Sequence, residues 1–261
     1  MRSTSKWFGA LYMLFMYGFI FLPVVVLVLF SFQGGRLPIP PFNGPSLKWY
    51  AAVLSDGKLT SALIHSLVIA VTSSALSCFL GFLAAYGLAR YKLPASGLQR
   101  ALITAPLTIS YLIIGLGLLI MFNNLGVSRS LFTVGLGHTV INMPLCFAII
   151  YSQIGEHQVN VERAARDLGA CEWKVLLLIS APMLAPAIMA SYFLSFTFSW
   201  DEFIISFLLS RFEVTLPVEI WGLLRSGLNP KMNAVGSIVF LISMVLLLAM
   251  EFLIFRKGRK Q

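Results

Sequence analysis

Long apolar runs separated by short charged segments dominate the pattern along this chain. Six runs nearly free of charge stand out: Trp7–Arg36, Ser61–Ala89, Ala101–Ser128, Ser130–Gly155, Val175–Trp200 and Met232–Met250. About 20 apolar residues, rising 1.5 Å each, cross the hydrocarbon core of a bilayer. Hydrocarbon offers no water to backbone N–H and C=O groups, so a spanning segment satisfies them internally as a helix. The pattern therefore predicts an all-α integral membrane protein with six transmembrane helices.

Composition agrees: 58% of the 261 residues are hydrophobic and 11% charged, where a soluble domain carries roughly a quarter charged. A net charge of +9 suggests nucleic acid at first sight. In a membrane protein, basic residues instead mark the cytoplasmic loops, and no nucleic-acid partner is expected. With both ends inside, twelve of the nineteen basic residues fall on the cytoplasmic side, including Arg2, Lys6, Arg90, Lys92, Arg163, Arg166, Lys174 and the tail Arg256-Lys-Gly-Arg-Lys260. Both termini are thus expected to be cytoplasmic. The first run is too long for a signal-peptide core and lacks a small-residue cleavage site, so it reads as an uncleaved span.

Punctuation supplies the organisation. A loop over 33–60, with Pro38, Pro40, Pro41 and Pro45 followed by Trp49 and Tyr50, interrupts helix and offers aromatic anchors at an interface. It divides an N-terminal part, 1–60, from a five-helix core, 61–255. Small residues at every fourth position of the second run (Ser77, Gly81, Ala85, Ala89) predict close approach of another helix, within the chain or across a dimer. Pro106, Pro144 and Pro186 mark points where the spans are open to kinking.

Candidate chemistry is sparse. Cys78, Cys146 and Cys171 imply no disulfide framework, and His65, His138 and His157 lack metal-ligand spacing. No catalytic residue, metal or cofactor is expected in the chain. It also has no Gly-x-x-x-x-Gly-Lys-[Ser/Thr] phosphate loop.

The inner segment between the fourth and fifth runs, about 156–182, is the most informative. Asn160 is a possible N-cap with Glu162 in the first turn. Ala164, Ala165 and Leu168 share a face flanked by Arg163, Arg166 and Asp167, and Gly169 can end the helix in a left-handed conformation. Glu172-Trp-Lys then starts a helix that runs without a charge into the fifth span. The segment resembles the Glu-Ala-Ala loop of ABC importer permeases, whose pattern continues three residues to Gly and nine more to Ile-x-Leu-Pro. Ala164, Ala165, Gly169, Ile179 and Pro182 stand at those positions, with Arg163 in place of the Glu and Ala181 in place of the Leu.

That resemblance implies a type I ABC importer transmembrane domain with a cytoplasmic coupling helix. It further implies docking of Glu162, Arg163, Ala164, Ala165, Asp167, Gly169 and Pro182 onto a separate ATPase subunit. ATP would then be used by two such partners, beside a sibling permease and an extracytoplasmic substrate-binding protein in a bacterial inner membrane.

Asp201 and Glu202 end an otherwise uncharged run. Charges at membrane depth usually face a cavity or a partner. Ser199-Trp-Asp-Glu202 has the form of a capping box that would start a new helical piece, and Arg211 is a possible salt-bridge partner. The segments Ser199–Phe207, Thr215–Pro217 and Gly227-Leu-Asn-Pro-Lys-Met-Asn-Ala234 resemble the second permease of spermidine/putrescine importers. Trp200, Asp201 and Glu202 are thus candidates for the translocation pathway of a small cationic solute. Permeases for opines, aminoethylphosphonate, thiamine or iron carry similar segments. An ion-coupled secondary transporter would need ionisable residues near mid-membrane, where these runs have almost none. A membrane enzyme would need a catalytic cluster, approximated only by His157 beside Glu156 and Glu162.

Overall fold

The computed structural model describes residues 2–91, 94–227 and 229–258. Lys92, Arg259, Lys260 and Leu228 lie outside the described residues. Helices dominate: α1 (Arg2–Ser31), α2 (Lys48–Leu54), α3 (Gly57–Arg90), α4 (Ser96–Thr104), a 3-10 turn (Ala105–Thr108), α5 (Tyr111–Asn124) and α6 (Leu131–Ser152) come first. Then follow α7 (Glu156–Asp167), α8 (Glu172–Lys174), a π-helical turn (Val175–Ser180), α9 (Ala181–Met183), α10 (Ala185–Asp201), α11 (Ile204–Leu209), α12 (Leu216–Arg225) and α13 (Pro230–Gly258). Among the described residues the only extended pairing is a single bridge between Gln33 and Pro45.

Among the described residues, four helices are long and apolar enough to cross a membrane: Gly9–Ser31, Gly57–Arg90, Leu131–Ser152 and Pro230–Leu248. The third and fifth apolar runs are not continuous helices as expected. Ser96–Thr108 meets Tyr111–Asn124 at 104°, and Glu172–Met183 meets Ala185–Asp201 at 73°; counting each bent pair as one span gives six. The physical reason lies in the prolines. Pro106 sits in the 3-10 turn before an extended Ile109 and Ser110. Pro182 and Pro186 flank the second bend at Leu184, each removing an N–H from the ladder. Pro144, by contrast, lies inside an uninterrupted α6.

The chain forms two compact units. One comprises 1–60 with 220–246. In it, Trp49 and Tyr50 lie on α2, a helix where the proline content predicted loop. The Trp49 indole donates to the Gln33 carbonyl at 2.8 Å, and the Tyr50 hydroxyl meets Ser31 Oγ at 2.7 Å. Gln33 ties the proline segment down, accepting from Asn43 N–H and donating to the Ile39 and Pro41 carbonyls. Lys231 Nζ donates to Asp56, and this hydrogen bond holds the Asp56 carboxyl below the usual carboxylate range.

The second unit, 61–219 with 247–261, holds the candidate site. Its first core packs Cys78, Phe82, Ala85 and Tyr86 of α3 against Cys146, Phe147 and Ile150 of α6, closed by Leu176 and Leu184. Its second joins Ile69, Phe122, Val134 and Ile141 to Ile205 and Leu209 of α11. The small-residue stripe of α3 finds its neighbour within the chain: a Cβ on Gly81 would stand 2.8 Å from both Cys146 Cβ and the Phe147 amide nitrogen. A Cβ on Gly137 of α6 would likewise stand 2.5 Å from Ile205 Cγ2 and 2.8 Å from Leu209 Cδ1. Gly81→Val is accordingly expected to cost about 1–3 kcal/mol by forcing α3 from α6. Gly87→Ala, where nothing lies within 4 Å, should be neutral or slightly stabilising. Thermal unfolding of the detergent-solubilised variants distinguishes the two.

Candidate functional site

The segment between the fourth and fifth apolar runs is built on α7. Its N-cap is Gly155, five residues before the expected Asn160 cap, and the extended Gly155 backbone (φ −118°, ψ 179°) donates its N–H to Gln158 Oε1 at 2.7 Å. The Gln158 side chain turns back over the cap and also donates Nε2 to the Gln153 carbonyl at 3.1 Å; with the helix starting at Glu156, Glu162 falls in mid-helix rather than in the first turn. The end of α7 is as expected. Gly169 takes φ +85°, its N–H bonds the Arg166 carbonyl at 2.8 Å, and the Ala170 N–H bonds that of Ala165 at 3.0 Å. These are the paired bonds of a Schellman motif, in which glycine avoids the Cβ penalty of the left-handed region.

The side chains of α7 divide sharply. Arg163, Ala164 and Asp167 are exposed, Ala165 is half-buried, and Leu168 at the tip is 89% exposed. Pro182 is also exposed. Glu162 is 0% exposed, so it stands apart from that outer face. Its carboxylate accepts two bonds from Arg90, Nε at 2.6 Å and Nη2 at 3.0 Å, and a third from Ser180 Oγ at 2.8 Å. Arg166 lies one turn further on, donating to both oxygens of Glu172 at 2.8 and 3.1 Å and to the Tyr86 hydroxyl at 3.3 Å. Hydrogen bonding to Glu172 raises the Arg166 guanidinium above its ordinary range.

The acidic pair is likewise split. Asp201 closes α10 and is exposed, Trp200 before it is buried, and Glu202 is 6% exposed on extended backbone. Glu202 Oε1 accepts from the Ile204 N–H at 2.9 Å, and Oε2 accepts from Ile205 at 2.9 Å and Ser206 at 3.2 Å. The carboxylate thus supplies the first-turn donors of α11 with acceptors, where the helix dipole also favours an anion.

The new helical piece is therefore real, but the expected capping box is not what starts it. Ser199 points away, its hydroxyl meeting His138 Nδ1 at 2.6 Å and Ser73 Oγ at 3.0 Å. The other imidazole nitrogen meets Ser206 Oγ at 2.9 Å and lies 3.5 Å from Glu202 Oε2. Nor does Arg211 pair with the acids; its guanidinium sits over the Phe212 ring at 4.8 Å.

Sequence reasoning missed Arg90 and His138 as partners. His138, an isolated ionisable residue inside an apolar run, was the available signal. Further buried polar atoms continue from this cluster, with Ser77 Oγ donating to the Thr139 carbonyl at 3.3 Å.

Comparison with known proteins can now be set beside this geometry. A family model described as "Binding-protein-dependent transport system inner membrane component" matches residues 77–259, more than half of the chain. The chain belongs to this family. It is similar to the spermidine/putrescine transport system permease protein PotC of Escherichia coli (strain K12), with 28% identity covering 93% of this chain and 92% of that one. It is 34% identical to the putrescine transport system permease protein PotI of the same strain, over 85% of this chain and 81% of that one. Among solved structures, it shares the fold of a bacterial alginate ABC transporter in complex with an alginate pentasaccharide-bound periplasmic protein. There the TM-score is 0.70 at 15% identity, covering 95% of this chain and 93% of that one.

The protein is a multi-pass ABC importer permease, a membrane component and not an enzyme subunit. Its helices form the type I importer transmembrane fold. Within that frame the buried Glu202 and the exposed Asp201 are expected to respond differently to truncation. Glu202→Ala leaves two buried amide donors, those of Ile205 and Ser206, without acceptors, at about 1–3 kcal/mol each. Asp201→Ala should change stability by less than about 0.5 kcal/mol. Paired melting curves in one detergent check this.

Proposed function

We propose that this permease carries a small polyamine of the spermidine/putrescine class inward, in a complex with a sibling permease, two ATP-hydrolysing subunits and an extracytoplasmic binding protein. The observation that carries the cargo assignment is the similarity to PotC along 93% of the chain. Asp201 is consistent with it: an exposed carboxylate at a break in an apolar helix attracts a cation. We assign Asp201 to the pathway, with Glu202 and Trp200 as the buried frame that holds it there.

The reading places both termini and α7 on the cytoplasmic side, in keeping with the excess of basic residues there. α7 is the docking helix. Its exposed Arg163, Ala164, Asp167 and Leu168, with Ala165 beside them, face the ATPase, and the Gly169 turn presents them. Glu162 supports this face from inside, and Pro182 lies at the start of the bent span. Closure of the ATPases on ATP would displace α7 and switch the pathway between its inward and outward openings. Hydrolysis belongs to the partner subunits, and no cofactor of the chain's own takes part.

Reconstitution of the complete importer tests the proposal. Putrescine or spermidine uptake should require ATP and the binding protein, and an uncharged solute as the preferred cargo would overturn the cargo assignment. Gly169→Val, which puts a β-branched residue into the left-handed region, should leave the permease in the membrane while co-purified ATPase and uptake both fall at least tenfold. Asp201→Asn should lower uptake of the diamine several-fold at unchanged ATPase co-purification.

A further inference from the structure

Glu162 is adjacent in sequence to the exposed docking residues, yet it cannot touch a partner, being wholly enclosed by its own chain. Its carboxylate instead gathers three elements. Arg90 is the last residue of α3, a helix of 34 residues that at 1.5 Å per residue runs about 51 Å, long enough to cross the membrane. Ser180 is the last residue of the π-helical turn that leads into the 73° bend of the next span. Glu162 itself lies in the middle of α7.

A buried carboxylate is costly to desolvate, and apolar residues of similar volume often serve stability as well or better. What the ionic pair supplies is direction. The guanidinium fork meets both carboxylate oxygens in one geometry, so α7 cannot slide against the end of α3 without breaking both charge-assisted bonds.

We propose that Arg90, Glu162 and Ser180 form an internal strut, through which displacement of α7 is passed to the end of α3 and to the π-helical turn. The proposal rests on the reading of α7 as the docking helix. Arg90 and Glu162 are positioning residues: they touch neither cargo nor ATP, and they join the moving loop to two spans at once. The second link matters because a π turn, with its i→i+5 bonds, is a place where a helix can change register. Ser180 ties that turn to the same carboxylate. Arg166 backs the arrangement from the next turn of α7, 4.0 Å from Glu162 and bonded to Glu172 at the start of α8. The Arg90 guanidinium also lies over the Tyr86 ring at 5.8 Å, which limits its own freedom to swing.

The strut is tested in the complete importer in proteoliposomes, read as putrescine imported per ATP hydrolysed, with co-purified ATPase measured alongside. Glu162→Gln keeps the size and shape of the side chain but removes its charge. It is expected to lower the ratio at least fivefold while co-purified ATPase stays within twofold of wild type. Arg90→Cys with Glu162→Cys, made with the exposed Cys171→Ser, is expected to be uncoupled after assembly. A short bifunctional thiol reagent bridging the two cysteines should restore at least half of the wild-type ratio.

A role in folding alone predicts the reverse: less assembled complex, an unchanged ratio in what does assemble, and no rescue by a bridge added later. Either an unchanged ratio or a failed rescue overturns the strut. If Gly169→Val behaves as wild type, the docking reading fails and the strut falls with it. If Gly169→Val loses uptake while Glu162→Gln keeps the wild-type ratio, the strut alone is overturned.

Discussion

Inside a membrane every backbone N–H and C=O must find its partner in the protein, and the places where this chain satisfies that demand without a regular helix are the places where its function gathers. An unbroken helix such as α6 meets the demand by itself almost throughout, apart from the Val140 carbonyl, which Pro144 leaves without its ladder donor. Where helix stops within an apolar run, a side chain has to stand in. Glu202 does so for α11, its two oxygens taking three amide bonds within a few residues of the break. The carboxylate then has to be accommodated in turn. His138 and the positive end of α11 supply that, and Ser199 and Ser206 hold the imidazole from both sides. One interruption of the ladder thus explains a polar cluster drawn from α3, α6, α10 and α11.

The same reasoning applies where α3 ends against α7, with a different balance. Removing one partner of a buried ion pair typically costs about 3–5 kcal/mol, because the other charge is left uncompensated. Losing either Arg90 or Glu162 is therefore far more costly than the small net stability the pair as a whole contributes. Such a contact is suited to carrying displacement. Apolar packing resists compression but slides more readily, whereas a bidentate pair resists sliding as well.

Much of this was legible in the sequence, and the remainder was hidden for identifiable reasons. The apolar runs marked where membrane helices lie, since bilayer thickness imposes their length. Gly169 announced the end of α7, and the stripe through Gly81 announced a close neighbour, because both signals are local and steric. Pro106, Pro144 and Pro186 marked points open to kinking, but only the first and last accompany bends; in an apolar run nothing else in the pattern distinguishes a tolerated proline from a break. The Glu162 side chain was read as part of the outer face because its partners, Arg90 and Ser180, come from other elements. Helical periodicity cannot report a partner 72 positions away. Inside a membrane it reports even less, since lipid and protein core are alike apolar and the pattern carries little sidedness.

Two adjacent pairs on this chain share an arrangement that bears on how such sites should be read. In each, one charged residue is consumed by its own protein and its neighbour is left outside: Glu202 beside Asp201, and Glu162 beside Arg163. Charge type alone would give both members of each pair the same kind of role, or in the second case opposed ones. Satisfaction separates them. A buried carboxylate that already accepts three bonds from backbone amides, a guanidinium or a hydroxyl is closed to a ligand from outside, and its contribution is to fix geometry. The neighbour, carrying its charge on a side chain that its own protein leaves accessible, is the one available to a partner or cargo. Arg163, at the Glu position of the motif, is exposed, while the acidic residue of the loop, Glu162, lies one position earlier and inside.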